Sequence, residues 1–239
     1  MSRCPKVVLV LFVIVGSALA IHAQSDSSVG NGDGSPPSTS AATPESIIIK
    51  SYRLSKGDNE FGFWGGGSFR ATTIFGGLTE AEASDRKFFI AAFRYGRTLA
   101  ANDSMALQYT LDAIPLAVAT GNIAQVTTVG PVTTFRRETA YGAGATPLGL
   151  QLDFANGSKV HPFVHVNGGG LIFNKSVPLP DAGRFAFVGE AGGGLRIFTS
   201  DRRAVTLGLR FHHISNGDRS GSNRGVNQFV IYGGFSIFK

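Results

Sequence analysis

Near the C-terminus, the run Phe211-His212-His213-Ile214-Ser215-Asn216 sets a base and a nucleophile two residues apart. It continues an alternating segment, Val205, Leu207, Leu209 and Phe211. Successive side chains of a strand point to opposite faces, so these four share a face, and His213 and Ser215 extend it. A spacing of two is about 6.6 Å along a strand, a gap that an imidazole closes to a serine hydroxyl. The chemistry on offer is nucleophilic. A serine is weak at its own pKa and attacks an ester once a base within hydrogen-bond reach takes its proton. The face in question is the apolar one. A polar pair there either works or marks the wet end of the strand, and the spacing alone leaves both readings open. His212, one position off, falls on the other face and reads as a core hydrogen-bonding residue.

The elements that must position this pair are strands. From residue 58 onward, eight segments of ten or more residues follow one another, at roughly 60–69, 87–99, 104–118, 139–155, 159–173, 183–199, 203–215 and 227–238. Phe61, Phe63 and Phe69 share one face of the first, and Met105, Leu107, Tyr109 and Leu111 one face of the third. Phe185, Phe187, Leu195 and Ile197 do so in the sixth, and Phe229, Ile231, Phe235 and Ile237 in the eighth. The other face carries Gln108, Asp112, Asp153, His165, Asn167, Glu190, Arg196, Arg210 and His212. The gaps alternate in length: long at 70–86, 119–138, 174–182 and 216–226, short at 100–103, 156–158 and 200–202. An even strand count, alternating faces and long–short connections are the pattern of an outer-membrane barrel. The chain ends inside its last strand, on Phe238-Lys239. The expected fold is all-β, an eight-stranded antiparallel transmembrane barrel over 58–239. Eight strands leave an interior that side chains fill, so the inward charges form a packed network. The triplets Gly65-Gly66-Gly67, Gly168-Gly169-Gly170 and Gly192-Gly193-Gly194 imitate a nucleotide loop. That loop needs a strand–turn–helix context, which the pattern does not supply. They read instead as places where strands bend or approach closely.

The rest of the chain supplies a route to such a membrane. Arg3 and Lys6 precede the apolar run Val7 to Val15, and small residues follow, so residues 1–23 read as a secretory signal cleaved after Ala20 or Ala23. The apolar run is too short to span as a helix. Cys4 is the only cysteine and leaves with the signal, which removes disulfide, iron–sulfur and thiol-nucleophile chemistry. Residues 24–57, rich in Ser, Gly, Pro and Thr, read as a flexible linker. With 32 Gly, 19 Phe and only 16% charged residues, the chain is too apolar to be disordered. A net charge of +6 suits nucleic acid or an anionic membrane surface, and export leaves the membrane. If the first strand rises from the periplasm, the seventh delivers His213 and Ser215 to the outer rim on the lipid side. That leaflet is mostly lipopolysaccharide, so the pair is placed to attack an acyl ester of lipid A.

His213-Ile214-Ser215-Asn216, followed by Asn223-Arg224-Gly225-Val226-Asn227, resembles the terminal motif of the lipid A 3-O-deacylase family, the acyloxyacyl-hydrolase-like outer-membrane barrels. The motif covers the last thirty or so residues, and the remaining barrel agrees in strand pattern and size. The resemblance implies a lipid A deacylase with a His/Ser/acid triad on the outer barrel surface, acting without metal or cofactor. His213 and Ser215 carry over as base and nucleophile, Asn216 as an oxyanion contributor. Asn227 stands where the family places the triad glutamate. An amide oxygen still accepts an imidazole N–H and orients the ring, but it supports an imidazolium less than a carboxylate does. Asp218 is the nearest alternative acid, and Glu190 points inward by parity. Loop cations Arg136, Arg137, Lys175, Arg219 and Arg224 are candidates for lipid A phosphates. Two other readings stay open: a non-catalytic barrel acting as a structural protein or adhesin, and a silent relative that binds lipopolysaccharide. The oligomeric state is open as well.

Overall fold

A computed structural model describes residues 52–75, 78–121, 126–129, 132–135, 137–178, 181–221 and 223–239. The expected signal 1–23, with Cys4, most of the expected linker, and Arg136 lie outside the described residues.

Alternation of apolar and polar side chains produces the strands expected. They are β1 (Asn59–Ser68), β2 (Lys87–Ala101), β3 (Met105–Gly121), β4 (Glu138–Phe154), β5 (Val160–Phe173), β6 (Phe185–Ser200), β7 (Arg203–Ser215) and β8 (Val226–Phe238). Each pairs antiparallel with its neighbours in sequence. The sheet closes because β1 also pairs with β8, from Glu60 opposite Phe238 to Gly67 opposite Ile231. The molecule is therefore a closed eight-stranded antiparallel barrel. Closure removes the unpaired edges that an open sheet of this composition would expose. Between β3 and β4, Val126–Val129 and Val132–Phe135 pair as a short hairpin.

The two faces separate as the alternation predicts. Phe61, Phe63, Phe93, Leu148, Ile172, Leu207, Ile231 and their neighbours are exposed around the outside. An apolar belt of this extent is unstable in water and marks a surface made for lipid or a partner. Among the described residues no helix is long and apolar enough to cross a membrane; the strands carry that surface. All the polar residues expected inside are buried. Arg196 holds Glu60, Asp153 and Gln108 at 2.8–2.9 Å, Arg94 grips Asp112 with two bonds of 2.8 Å, and Arg210 meets Glu190 at 2.8 Å. Arg210 also lies 3.8 Å from the Trp64 ring centroid and 4.2 Å from that of Tyr232. Such charges tolerate burial because each meets an opposite charge and further hydrogen bonds. The interior is a filled polar core.

The short-turn end is closed by Leu54, Ala106, Phe198, Ala204 and Phe238, with Tyr52 packed against them. Asn156 bonds both the N–H and the C=O of Leu54, at 2.8 and 2.9 Å. Of the stretch read as linker, residues 52–57 thus pack on the barrel end. At the opposite end, the connection after β1 is structured where the sequence reading left a plain loop. Ala71–Thr72 pairs with β8 through Gln228 and Asn227. A one-turn helix, α1 (Glu80–Ala83), follows, its start fixed by a Thr79/Glu82 capping box. The Thr-x-x-Glu spacing is a sequence signature of such a start.

Candidate active site

The ladder between β7 and β6 runs without interruption from Ala204 opposite Phe198 to Ser215 opposite Phe187. The expected parity therefore holds. His212 and Ile214 turn into the barrel and are buried, while His213 and Ser215 share the outer face and are half-buried. Inside, His212 Nδ1 lies 2.8 Å from Glu190 Oε1, and its ring stacks on Phe88. Glu190 is also held by Arg210 and Asn167. Both residues belong to the core network, as their parity required.

Across the other ladder, His213 stands opposite Asn227. Cross-strand pairs on one face lie about 5 Å apart, and here the contact is direct: His213 Nδ1 is 2.6 Å from Asn227 Oδ1. The other end of the amide is fixed too, because Asn227 Nδ2 donates to the Ile74 carbonyl at 2.8 Å. A carbonyl only accepts, so the NH2 end of Asn227 must face Ile74 and its oxygen must face the ring. The ring nitrogen on that side then carries the proton. In the neutral imidazole this is the Nδ1–H tautomer, which leaves the lone pair on Nε2. Asp218 is elsewhere: it sits exposed in the loop after β7, with φ of 60°.

Asn227 is on the outward face of β8, yet it is only 3% exposed. The cover is the connection after β1. Thr72 pairs with Asn227, and Phe75 stacks edge-on against Phe211 at 5.6 Å, which in turn meets Phe229 at 5.5 Å. Ile74 and Phe75 still present apolar surface to the outside, at 48% and 68% exposure. This segment is tied to the loop after β7 by Glu82, which meets Arg224 at 2.7 Å. Burial alone would raise the Glu82 pKa; the hydrogen bonds from Thr79 and the charges of Arg224 and Arg86 outweigh it and hold the carboxyl below its ordinary value. Gly225 closes the site from the same loop. A Cβ there would fall 2.6 Å from His213 Cε1, so any side chain at 225 would displace the ring.

Asn216 follows Ser215 and turns inward at 3% exposure. Its amide donates to the Ala182 carbonyl at 3.0 Å and to Ser220 Oγ at 2.7 Å. Its Oδ1 accepts the Asp218 N–H at 3.0 Å, and its own N–H donates to Asn223 Oδ1 at 3.2 Å. The side chain braces the loop and does not face the outer surface. Of the candidate loop cations, Arg137, Lys175 and Arg224 are engaged by Asp85, Glu138 and Glu82. Arg219 differs. Its guanidinium lies over the rings of Phe185 and Phe187, 5.6 and 5.9 Å from their centroids, and Phe187 is the residue opposite Ser215.

The sequence motif points to His213, Ser215 and Asn227 but not to what fixes His213 and Asn227 from outside β7 and β8. The Ile74 carbonyl is a backbone group with no sequence signal of its own. The alternation of β1 running on through Phe69 and Ala71 was the available hint that the chain continues as strand toward the site.

A family model described as lipid A 3-O-deacylase (PagL) matches residues 96–236. No curated protein matches the chain. Similar solved structures include the outer membrane enzyme PagL, 15% identical with a TM-score of 0.46, over 73% of this chain and 97% of that one. Neisserial surface protein A is 14% identical with a TM-score of 0.41, over 76% and 97%. The N-terminal β-barrel domain of Pseudomonas aeruginosa OprF is 11% identical with a TM-score of 0.42, over 78% and 100%.

Proposed function

Because the chain belongs to the lipid A 3-O-deacylase family, we propose that it is an outer-membrane esterase that removes an acyl chain, the 3-O-linked one, from lipid A. The reading rests most heavily on one observation: the His213 ring is gripped by Asn227 on its Nδ1 side, leaving Nε2 for Ser215 on the same outer face. The apolar belt seats the barrel in the membrane, with the long-loop end and this site at the lipopolysaccharide leaflet.

In the first step, Ser215 Oγ attacks the ester carbonyl carbon as its proton passes to His213 Nε2. The carbonyl oxygen becomes an oxyanion. Collapse of the tetrahedral intermediate expels the sugar hydroxyl, which takes the proton from His213, and the acyl chain remains on Ser215. Water then attacks that ester, His213 again accepting and returning a proton, and the fatty acid leaves. Asn227 keeps the ring in the useful tautomer throughout. Asn216 serves the oxyanion by bracing the loop next to Ser215, its own amide being committed to Ala182 and Ser220. The acyl chain lies along the outward aromatics, Phe187 on one side and the Phe75–Phe211–Phe229 group on the other. Arg219, raised on its Phe185–Phe187 platform, takes a lipid A phosphate.

Mass spectrometry of lipid A from cells with and without the protein tests this. The expected result is loss of one 3-O-linked acyl chain from lipid A, dependent on Ser215 and His213. Unaltered lipid A with lipopolysaccharide still bound would instead assign the protein to the silent binders.

A further inference from the structure

We propose that the Ile74 carbonyl makes position 227 an amide position: the connection after β1 selects asparagine over the carboxylate that the family motif calls for, and acts as the positioning element of a neutral Ser–His–Asn triad. The inference rests on the hydrolase reading above and concerns how its third member works.

Two contacts converge on one amide. Asn227 Oδ1 faces His213 Nδ1 at 2.6 Å, and Asn227 Nδ2 donates to Ile74 O at 2.8 Å. A carboxylate has no donor. Put in place of the amide, it would satisfy the ring with one oxygen and set the other against the Ile74 carbonyl, two acceptors at hydrogen-bond distance with no proton between them. The position is sealed, Asn227 being 3% exposed beside its strand partner Thr72, so water has little access to repair the mismatch. Conversely, an isolated asparagine beside a histidine is free to turn its NH2 toward the ring. That inversion installs the wrong tautomer, and in the serine-protease triad it costs about 10⁴ in rate. Here the carbonyl forbids it. The covering segment also lies before residue 96, where the family match begins. The asparagine and its cover thus form one device: the cover supplies the acceptor that orients the amide, and the amide supplies the donor that the cover needs.

The test compares Asn227→Asp, isosteric with asparagine, and Asn227→Glu, the family residue, with wild type and with Ser215→Ala. All are refolded in the same detergent and assayed on lipopolysaccharide. Barrel assembly is checked by mobility on unheated gels. Leaving a buried acceptor unsatisfied corresponds to roughly five- to 150-fold in an equilibrium or rate, so both carboxylate variants should turn over at least fivefold slower than wild type. A carboxylate variant as fast as wild type, or faster, overturns the proposal while leaving the hydrolase reading intact. ¹⁵N NMR of the His213 ring in the wild-type protein gives an answer that does not depend on turnover or on any variant folding. A neutral ring protonated at Nδ1 is expected, and one protonated at Nε2 contradicts the proposal. Full activity in Ser215→Ala would remove the hydrolase reading itself, and the NMR result would still decide the orientation of the amide.

Discussion

At Gly225 a single hydrogen atom decides whether the His213 ring keeps its place. An added methyl would meet His213 Cε1 at 2.6 Å, so Gly225→Ala should push the ring away from Ser215. A displacement of about 1 Å in a catalytic group costs about 100-fold, and we expect a loss of that size in deacylation with the barrel still assembled. A rate within a few-fold of wild type would mean that His213 does not act from this position. The neighbouring histidines give a matched pair of outcomes. His213→Ala should lower turnover by about 10²–10⁴, the ordinary worth of a general base, without touching stability. His212→Ala empties a site bonded to Glu190 and stacked on Phe88, so it should lower the unfolding temperature more than it lowers turnover. The face that each histidine takes was readable in advance because strand parity is strict: a ladder without a bulge from Ala204 to Ser215 keeps the two-residue count honest. The inward turn of Asn216 follows from the same count, one step past Ser215. Only the motif's adjacency suggested an outward role for its side chain.

The connection after β1 behaves as a part of the site and not as a spacer. It contributes a backbone acceptor for Asn227, an edge-on ring for Phe211, and Glu82 for Arg224. Its hold depends partly on Glu82. That carboxyl is depressed below its ordinary pKa, so its contribution is fully present above the unfolded-state value and is lost as pH falls through the folded one. Phe75–Phe211 contacts in NMR spectra should therefore persist through pH 5 and weaken only below the usual glutamate range. Weakening between pH 6 and 7 would be the wrong sign for this group. Arg224 is half-exposed, and such pairs are worth up to about 1 kcal/mol, so Arg224→Ala should slow deacylation by less than about tenfold. None of this was visible as spacing. Alternation signals a strand, but no local pattern reports that Thr72 will lie on Asn227, 155 residues later, since that depends on barrel closure.

The whole barrel is an inverted globule, with charge inside and hydrocarbon surface outside. Its architecture was the most legible feature of the chain because each strand repeats the same two-residue code, and long and short connections alternate from end to end. The sealing of the short-turn end by Tyr52 and Leu54 was not, because those residues sit at the edge of a stretch whose composition reads as linker. Stability should be governed by the interior. Arg196 is buried against Glu60 and Asp153, and removing one partner of a buried ion pair costs about 3–5 kcal/mol. Arg196→Met should therefore lower the temperature at which the folded band disappears on gels. An unchanged temperature would mean that the network is not what holds the barrel. On the outside, Arg219→Ala should raise KM for lipopolysaccharide and leave kcat near wild type, because the guanidinium stands beside the reacting atoms rather than among them.

The proposed deacylase stands or falls on Ser215 being a nucleophile activated by an oriented His213. A long-chain alkyl fluorophosphonate, which inserts into the detergent or lipid layer and phosphonylates activated serines, tests it most directly, with the adduct located by peptide mass spectrometry. A single adduct on Ser215 is expected in the wild-type barrel, strongly reduced in His213→Ala and absent in Ser215→Ala. Labelling of another serine, or labelling of Ser215 undiminished by loss of His213, would contradict it.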